Sequence, residues 1–243
     1  MASDVRAIPW IVALGAAAVL GPPLEAHALG LLADGRFVSG YSYNGPLGPP
    51  PLETFETPAA PFAPFHVVDE TGLASQDSEV SLVTQGVPPN EVQLLSGDAS
   101  GSAVGSVSGF DVRRSQSDFS ITFRVDREAQ LGLAGFLQQY SFYGNCWVEV
   151  FAGSTSIYDF SVDFFTMGPN PTPFDFSAAL APGEYRIYAH ALGTGDARGG
   201  GGSFDLSFSV SEPVPEPGTA VLVALGAAAL AARRTSRRHT TAA

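Results

Sequence analysis

Several separate stretches of this chain alternate apolar and polar residues with a period of two, and that alternation restricts the fold more than any other feature. Phe119, Ile121, Phe123 and Val125 share one side, with Ser120, Thr122, Arg124 and Asp126 opposite. Phe204, Leu206, Phe208 and Val210 form a second apolar row, and Tyr185, Ile187, Ala189 and Ala191 a third. Such rows belong to strands with one face in a core and one in water. Trp147 to Ala152 and Ile157 to Phe165 are rich in β-branched and aromatic residues and also read as strands. Glu79 to Thr84 and Arg36 to Tyr43 are weaker candidates. Arg127 to Gln139 is the one stretch with any helical character, and its Gly132 and Gly135 count against a helix.

Turn signals separate these runs. Ala181-Pro182-Gly183 has Pro and Gly where a type II turn takes them, and the Gly-rich stretch from Gly193 to Gly202 is expected to close a hairpin between the strands at Tyr185 and Phe204. Gly45 to Pro64 carries seven prolines and little periodicity, so it is expected to be a surface loop or extended linker. Many short strands with turns between them predict an all-β fold, an antiparallel β-sandwich of jelly-roll-like architecture. The best-ordered part is expected from about Ser100 to Val210, with residues 29 to about 100 packed loosely on it or donating one or two strands.

The two ends have a different character. Arg6 precedes an uncharged apolar run from Ile8 to Leu20, Pro22 and Pro23 follow, and Ala26-His27-Ala28 has the small residues of an A-x-A cleavage site. Residues 1–28 therefore read as a signal peptide for signal peptidase, with Leu29 as the new N-terminus. At the other end Val214-Pro215-Glu216-Pro217-Gly218 precedes an apolar or small-residue run from Thr219 to Ala232, and then Arg233, Arg234, Arg237 and Arg238. The prolines hold the motif extended and out of any helix. The apolar helix predicted after them is about 14 residues long, short of the roughly 20 that span a bilayer comfortably, and the arginines form a basic stop at the membrane surface.

This order of motif, apolar helix and Arg cluster resembles the PEP-CTERM sorting signal, with Pro215, Glu216 and Pro217 as its Pro-Glu-Pro. The resemblance implies recognition by exosortase, transient membrane insertion by the C-terminal helix, and residence at the cell surface or outside the cell in a host that makes exopolysaccharide and biofilm. The domain plan is then a signal peptide (1–28), a β-sandwich ectodomain (29–212) and a sorting signal (213–243). Gly101 to Ser106, the Phe119 strand, Leu180 to Tyr185 and Ser203 to Leu206 are similar to the ectodomain common in PEP-CTERM proteins. Leu180 to Ala191 also resembles the end of the pre-peptidase C-terminal domain. These are turns and core strands, and no catalytic residue comes with them.

Charge and residue inventory narrow the function. The chain has no Lys, and Leu29 to Glu212 holds seven Arg against 21 acidic residues. Nucleic-acid binding rests on clustered cations and is excluded as an expectation. Cys146 is the single cysteine, so no internal disulfide forms, and its strand context predicts a small buried residue. Between the two ends only His66 and His190 remain, with no H-E-x-x-H or C-x-x-C pattern, and no metal or cofactor is expected. His190 alternates outward beside Tyr188 and is expected to be solvated. Gly105-Ser106-Val107-Ser108-Gly109 has Val107 where a nucleophile elbow needs Ser. Asp159 and Asp163 share a strand face that Glu149 can join across a hairpin, as solvated strand faces commonly allow. Gly193-Thr194-Gly195-Asp196 with Asp205 offers oxygen ligands for calcium. Tyr140, Tyr143, Trp147 and Tyr158 are candidates for stacking on sugar rings, Tyr140 and Tyr143 foremost because they flank a turn. The expectation is a non-enzymatic exported surface or matrix protein associated with exopolysaccharide. The alternative is a carbohydrate- or calcium-binding module.

Overall fold

The computed structural model describes residues 29–45, 48, 50–69, 73–85, 92–108, 111–141, 144–162, 170–194 and 199–212. The signal peptide and the whole sorting signal, including the helix predicted from Thr219 to Ala232, lie outside the described residues. Thirteen strands run through them: β1 (Gly30–Asp34), β2 (Phe37–Asn44), β3 (Leu52–Glu56), β4 (Phe65–Val68), β5 (Ala74–Gln85), β6 (Val92–Ser108), β7 (Asp111–Val125), β8 (Ala129–Gln139), β9 (Gly144–Ala152), β10 (Thr155–Ser161), β11 (Thr172–Leu180), β12 (Gly183–Gly193) and β13 (Gly200–Ser211).

All pairings are antiparallel and they form two layers. Sheet A runs β10-β9-β12-β7, with β1 and β2 along the far edge of β7 and β3 outside β2. Sheet B runs β4-β5-β6-β13-β8-β11. The last residues of β6, Ser106–Ser108, leave sheet B to pair with Arg113–Asp111 of β7, so the long β6–β7 hairpin joins the layers. The connections β8–β9, β10–β11, β11–β12 and β12–β13 each cross from one layer to the other, as in a jelly roll.

The core lies where the predicted rows meet. Phe119, Ile121, Phe123, Ile187, Ala189, Val148 and Val150 from sheet A pack against Leu131, Leu137, Phe204, Leu206, Phe208 and Val210 from sheet B. From residue 97 to 103 the inward side of β6 is made of small residues, Gly97, Ala99, Gly101 and Ala103, which leaves room for the rings of Phe204 and Phe208 from the adjacent strand. A Cβ at Gly97 would stand 2.6 Å from Phe208 Cε1 and 2.7 Å from the Glu79 carbonyl oxygen.

Several expectations are corrected. The region before residue 100 supplies five complete strands and much of a sixth, because its short runs find pairing partners far along the chain that periodicity does not reveal. The proline-rich segment 45–64 contains β3, a proline-free run that pairs on one side only, with β2, as an edge strand can. Arg127 to Gln139, whose two glycines counted against a helix, yields strand β8, with Ala129, Leu131, Leu133 and Leu137 inward. β12 and β13 do not form a hairpin; each enters a different sheet. Gly183 opens β12 without the left-handed backbone of a type II turn.

The N-terminal strands are tied to both layers by Arg36, whose side chain is fully buried. Its guanidinium grips Asp34 through two bonds (2.8 and 2.6 Å) and reaches the Ala63 carbonyl (2.7 Å) and Ser78 in β5 (3.2 Å). Asp34 also accepts the Phe62 backbone N–H at 2.7 Å. Phe62 has a left-handed backbone (φ 62°), which is costly for a side chain of that size, and the bond to Asp34 helps to hold it there. Burial opposes the charge on Asp34, but these hydrogen bonds outweigh it and keep the carboxyl below its usual range.

Candidate functional site

The outward residues of sheet A fall into rows across the strands. Leu192, Gln116, Ser39 and Phe55 stand opposite one another in β12, β7, β2 and β3, and Arg114, Tyr41 and Glu53 form the row beside them. Together they line an open groove of about 570 Å³. Phe55 is 66% exposed, and its ring rests against Phe37 at 5.2 Å between centroids. Among the described residues Arg114 has no ion-pair partner. Thr54, on the edge strand, donates to Asp69 at 3.1 Å, and Asp69 accepts the N–H groups of Leu73 and Ala74 at the start of β5.

The next outward row is Trp147, His190, Asp118 and Phe37. Here the expected solvated histidine is corrected: His190 is only 4% exposed. Its place on the outer face follows the alternation, but the Trp147 ring from β9 lies against the imidazole at 3.9 Å. The Asp118 carboxylate, itself buried, is the hub. It takes His190 Nδ1 on Oδ1, and on Oδ2 the Tyr188 hydroxyl at 3.0 Å and the Gln116 side-chain amide at 3.1 Å. A carboxylate only accepts, so Nδ1 carries its proton and the Gln116 amide must turn its NH₂ toward Asp118. The Gln116 carbonyl oxygen is thereby left as an acceptor. His190 Nε2 is buried and has no hydrogen-bond partner among the described residues. Burial pushes the Tyr188 phenol well above its usual range, and the Asp118 charge and hydrogen bond push the same way.

Arg186 of β12 lies over the Phe151 ring at 4.3 Å, on the same outer face. Glu149 stands directly opposite Asp159 across the β9–β10 hairpin, so these two carboxylates are brought together, while Asp163 lies outside the described residues. Tyr140 follows β8 on the sheet B side, exposed and away from the groove, its N–H donating to Gly201 at 2.8 Å; Tyr143 is outside the described residues. Tyr158 stacks on Phe176 at 4.3 Å. His66 is exposed on β4 and pairs with Asp77 at 2.6 Å, in the layer opposite His190. Among the described residues no group of three His, Cys, Asp or Glu is placed to hold a metal ion. Asp205 sits outward on β13, and Asp196 is outside the described residues. Cys146 is buried in the core, where desolvation pushes its thiol up to about 11.

Sequence reasoning thus missed Tyr41, Glu53, Phe55, Arg114, Gln116 and Asp118. The outward position of Gln116 and Asp118 was readable from the Phe119 row; their neighbours from β2 and β3 were not.

Comparison with known proteins gives remote structural likenesses and one local match. The C-terminal CBM6 of LamC, a marine laminarinase from Zobellia galactanivorans, is 11% identical, with 56% of this chain and 90% of that chain covered and a TM-score of 0.27. A family 35 carbohydrate binding module from Clostridium thermocellum is 15% identical, with 60% and 95% covered and a TM-score of 0.23. No curated protein matches the chain in sequence. Residues 213–238 match the family model of the PEP-CTERM protein-sorting motif, which contains Val214, Pro215, Glu216 and Pro217 and all four arginines of the basic stop; the chain carries a C-terminal sorting signal of the PEP-CTERM type.

Proposed function

We propose that this chain is an exported protein, released from its signal peptide after Ala28, held briefly in the membrane by its C-terminal segment and processed there by exosortase. It then resides at the cell surface or in the extracellular matrix and associates with exopolysaccharide without catalysing a reaction. The observation that carries this reading is the sorting motif at residues 213–238. The acidic, lysine-free body agrees with it, since it offers no cation cluster for a polyanion. The Asp118–His190 pair resembles the base half of a hydrolytic triad, and no hydroxyl or thiol among the described residues meets its Nε2.

The test is replacement of Pro215, Glu216 and Pro217 by alanine in the native host. Processing is expected to stop, with the protein retained in the inner membrane and its intact mass including the last thirty residues. Release of the triple variant at the wild-type mass overturns the reading. A defined carbohydrate-binding module is the second reading, favoured by the groove on sheet A.

A further inference from the structure

We propose that the groove across β3, β2, β7 and β12 is a binding site for a neutral, hydroxyl-rich glycan chain. This deepens the exopolysaccharide association proposed above and rests on it. The groove falls within the range of about 300–1,000 Å³ that small-molecule sites occupy. Phe55 presents an exposed ring that Phe37 backs, and Tyr41 adds a second aromatic in the adjoining row. Such rings pack against the C–H faces of sugars. Around them stand groups of both hydrogen-bonding kinds: Arg114 donates, Glu53 accepts, and the Ser39 hydroxyl does either. Gln116 is held from behind by Asp118, which fixes its carbonyl oxygen as an acceptor.

A sugar hydroxyl both donates and accepts, so this mixed set suits it better than it suits a phosphate or a metal ion. Charge decides between glycan classes. One Arg and one Glu balance within the lining, whereas the body of the protein is strongly acidic and repels a polyanion at long range. The frame is also fixed in advance. Asp118 ties β7 to β12 through Tyr188 and His190, and Thr54 ties the edge strand to Asp69, so little ordering remains to be done when a ligand arrives.

Affinity electrophoresis of the full-length chain through gels containing the host's purified exopolysaccharide tests the site. Wild type is expected to be retarded, and Phe55→Ala and Gln116→Ala to lose at least tenfold in affinity. Phe55 lies on an edge strand with its ring exposed, so a preserved circular dichroism spectrum and melting curve are expected and separate lost binding from lost folding. Equal retardation of wild type and both folded variants overturns the groove and leaves the association standing. Absence of retardation in wild type overturns the association and the groove with it. Calorimetry with cellohexaose, maltohexaose and mannohexaose against hexagalacturonate then tests the class. A neutral hexasaccharide is expected to bind best, and tighter binding of hexagalacturonate overturns the assignment to neutral glycans.

Discussion

The two outer faces of the sandwich are built from the same alternation yet differ in chemistry. Sheet A's outer face holds aromatic rings, arginines and a buried polar hub, where Asp118 serves three donors at once. Sheet B's outer face is nearly all small or acidic. Across β5, β6, β13 and β8 the rows read Ser75, Ser102, Ser203 and Gln138, then Asp77, Ser100, Asp205 and Phe136, then Glu79, Asp98, Ser207 and Ala134. No strand of sheet B contains an arginine. Its carboxylates stand in water, some directly opposite one another, as Glu79 is opposite Asp98. On one face, then, several polar side chains converge on one buried carboxylate; on the other they meet at most in pairs, such as His66 with Asp77 and Ser75 with Ser102. The same residue type should have opposite effects on the two sheets.

The largest effect is expected from Asp118→Ala. It takes the carboxylate from the buried His190 Nδ1–H and breaks the half-buried Tyr188 bond, and at roughly 2 and 1 kcal/mol the loss is about 3 kcal/mol in urea unfolding. A loss below about 1 kcal/mol would show that the hub is as loosely coupled as sheet B. Alkaline pH comes next. Cys146, Tyr158 and Tyr188, all on sheet A strands, have raised pKa values through burial. A raised folded-state value means that the fold favours the protonated form. The Cys146 contribution is therefore complete below pH 9 and disappears as pH rises toward about 11. The shift corresponds to about 3 kcal/mol. A Cys146→Ala variant should lose much of the stability slope between pH 9 and 11, and an unchanged slope would remove Cys146 from the account. The smallest effect has the opposite sign. Asp98→Asn relieves the repulsion from Glu79 and should stabilise by about 0.2–1 kcal/mol, less at high salt. Destabilisation of the same size would mean that sheet B's face also contains a coupled network.

The strand rows at Phe119, Tyr185 and Phe204 were legible because a period of two is a local property, set by the pleat of a single strand. The core residues followed from it, as did the outward side of His190. The burial of His190 was not legible, because Trp147 reaches it from β9, forty-three residues away in the sequence. Strands β1, β3 and β4 also escaped, since runs of four or five residues carry too few alternations to show a period. The groove was missed for a related reason: Phe55, Ser39, Gln116 and Leu192 share a row only after β3, β2, β7 and β12 have paired.

By itself the sequence determined that this protein is a β-sandwich followed by a sorting tail, because alternation, proline placement and an ordered motif act over a few residues at a time. Only the tertiary structure decided which polar side chains are buried together and where a ligand can rest. Those outcomes depend on the strand order, and backbone hydrogen bonds of one ladder are chemically the same as those of any other. The choice of neighbours is made by the packing of the whole core, with Phe204 and Phe208 over the small residues of β6 and Arg36 tying the N-terminal strands to both layers.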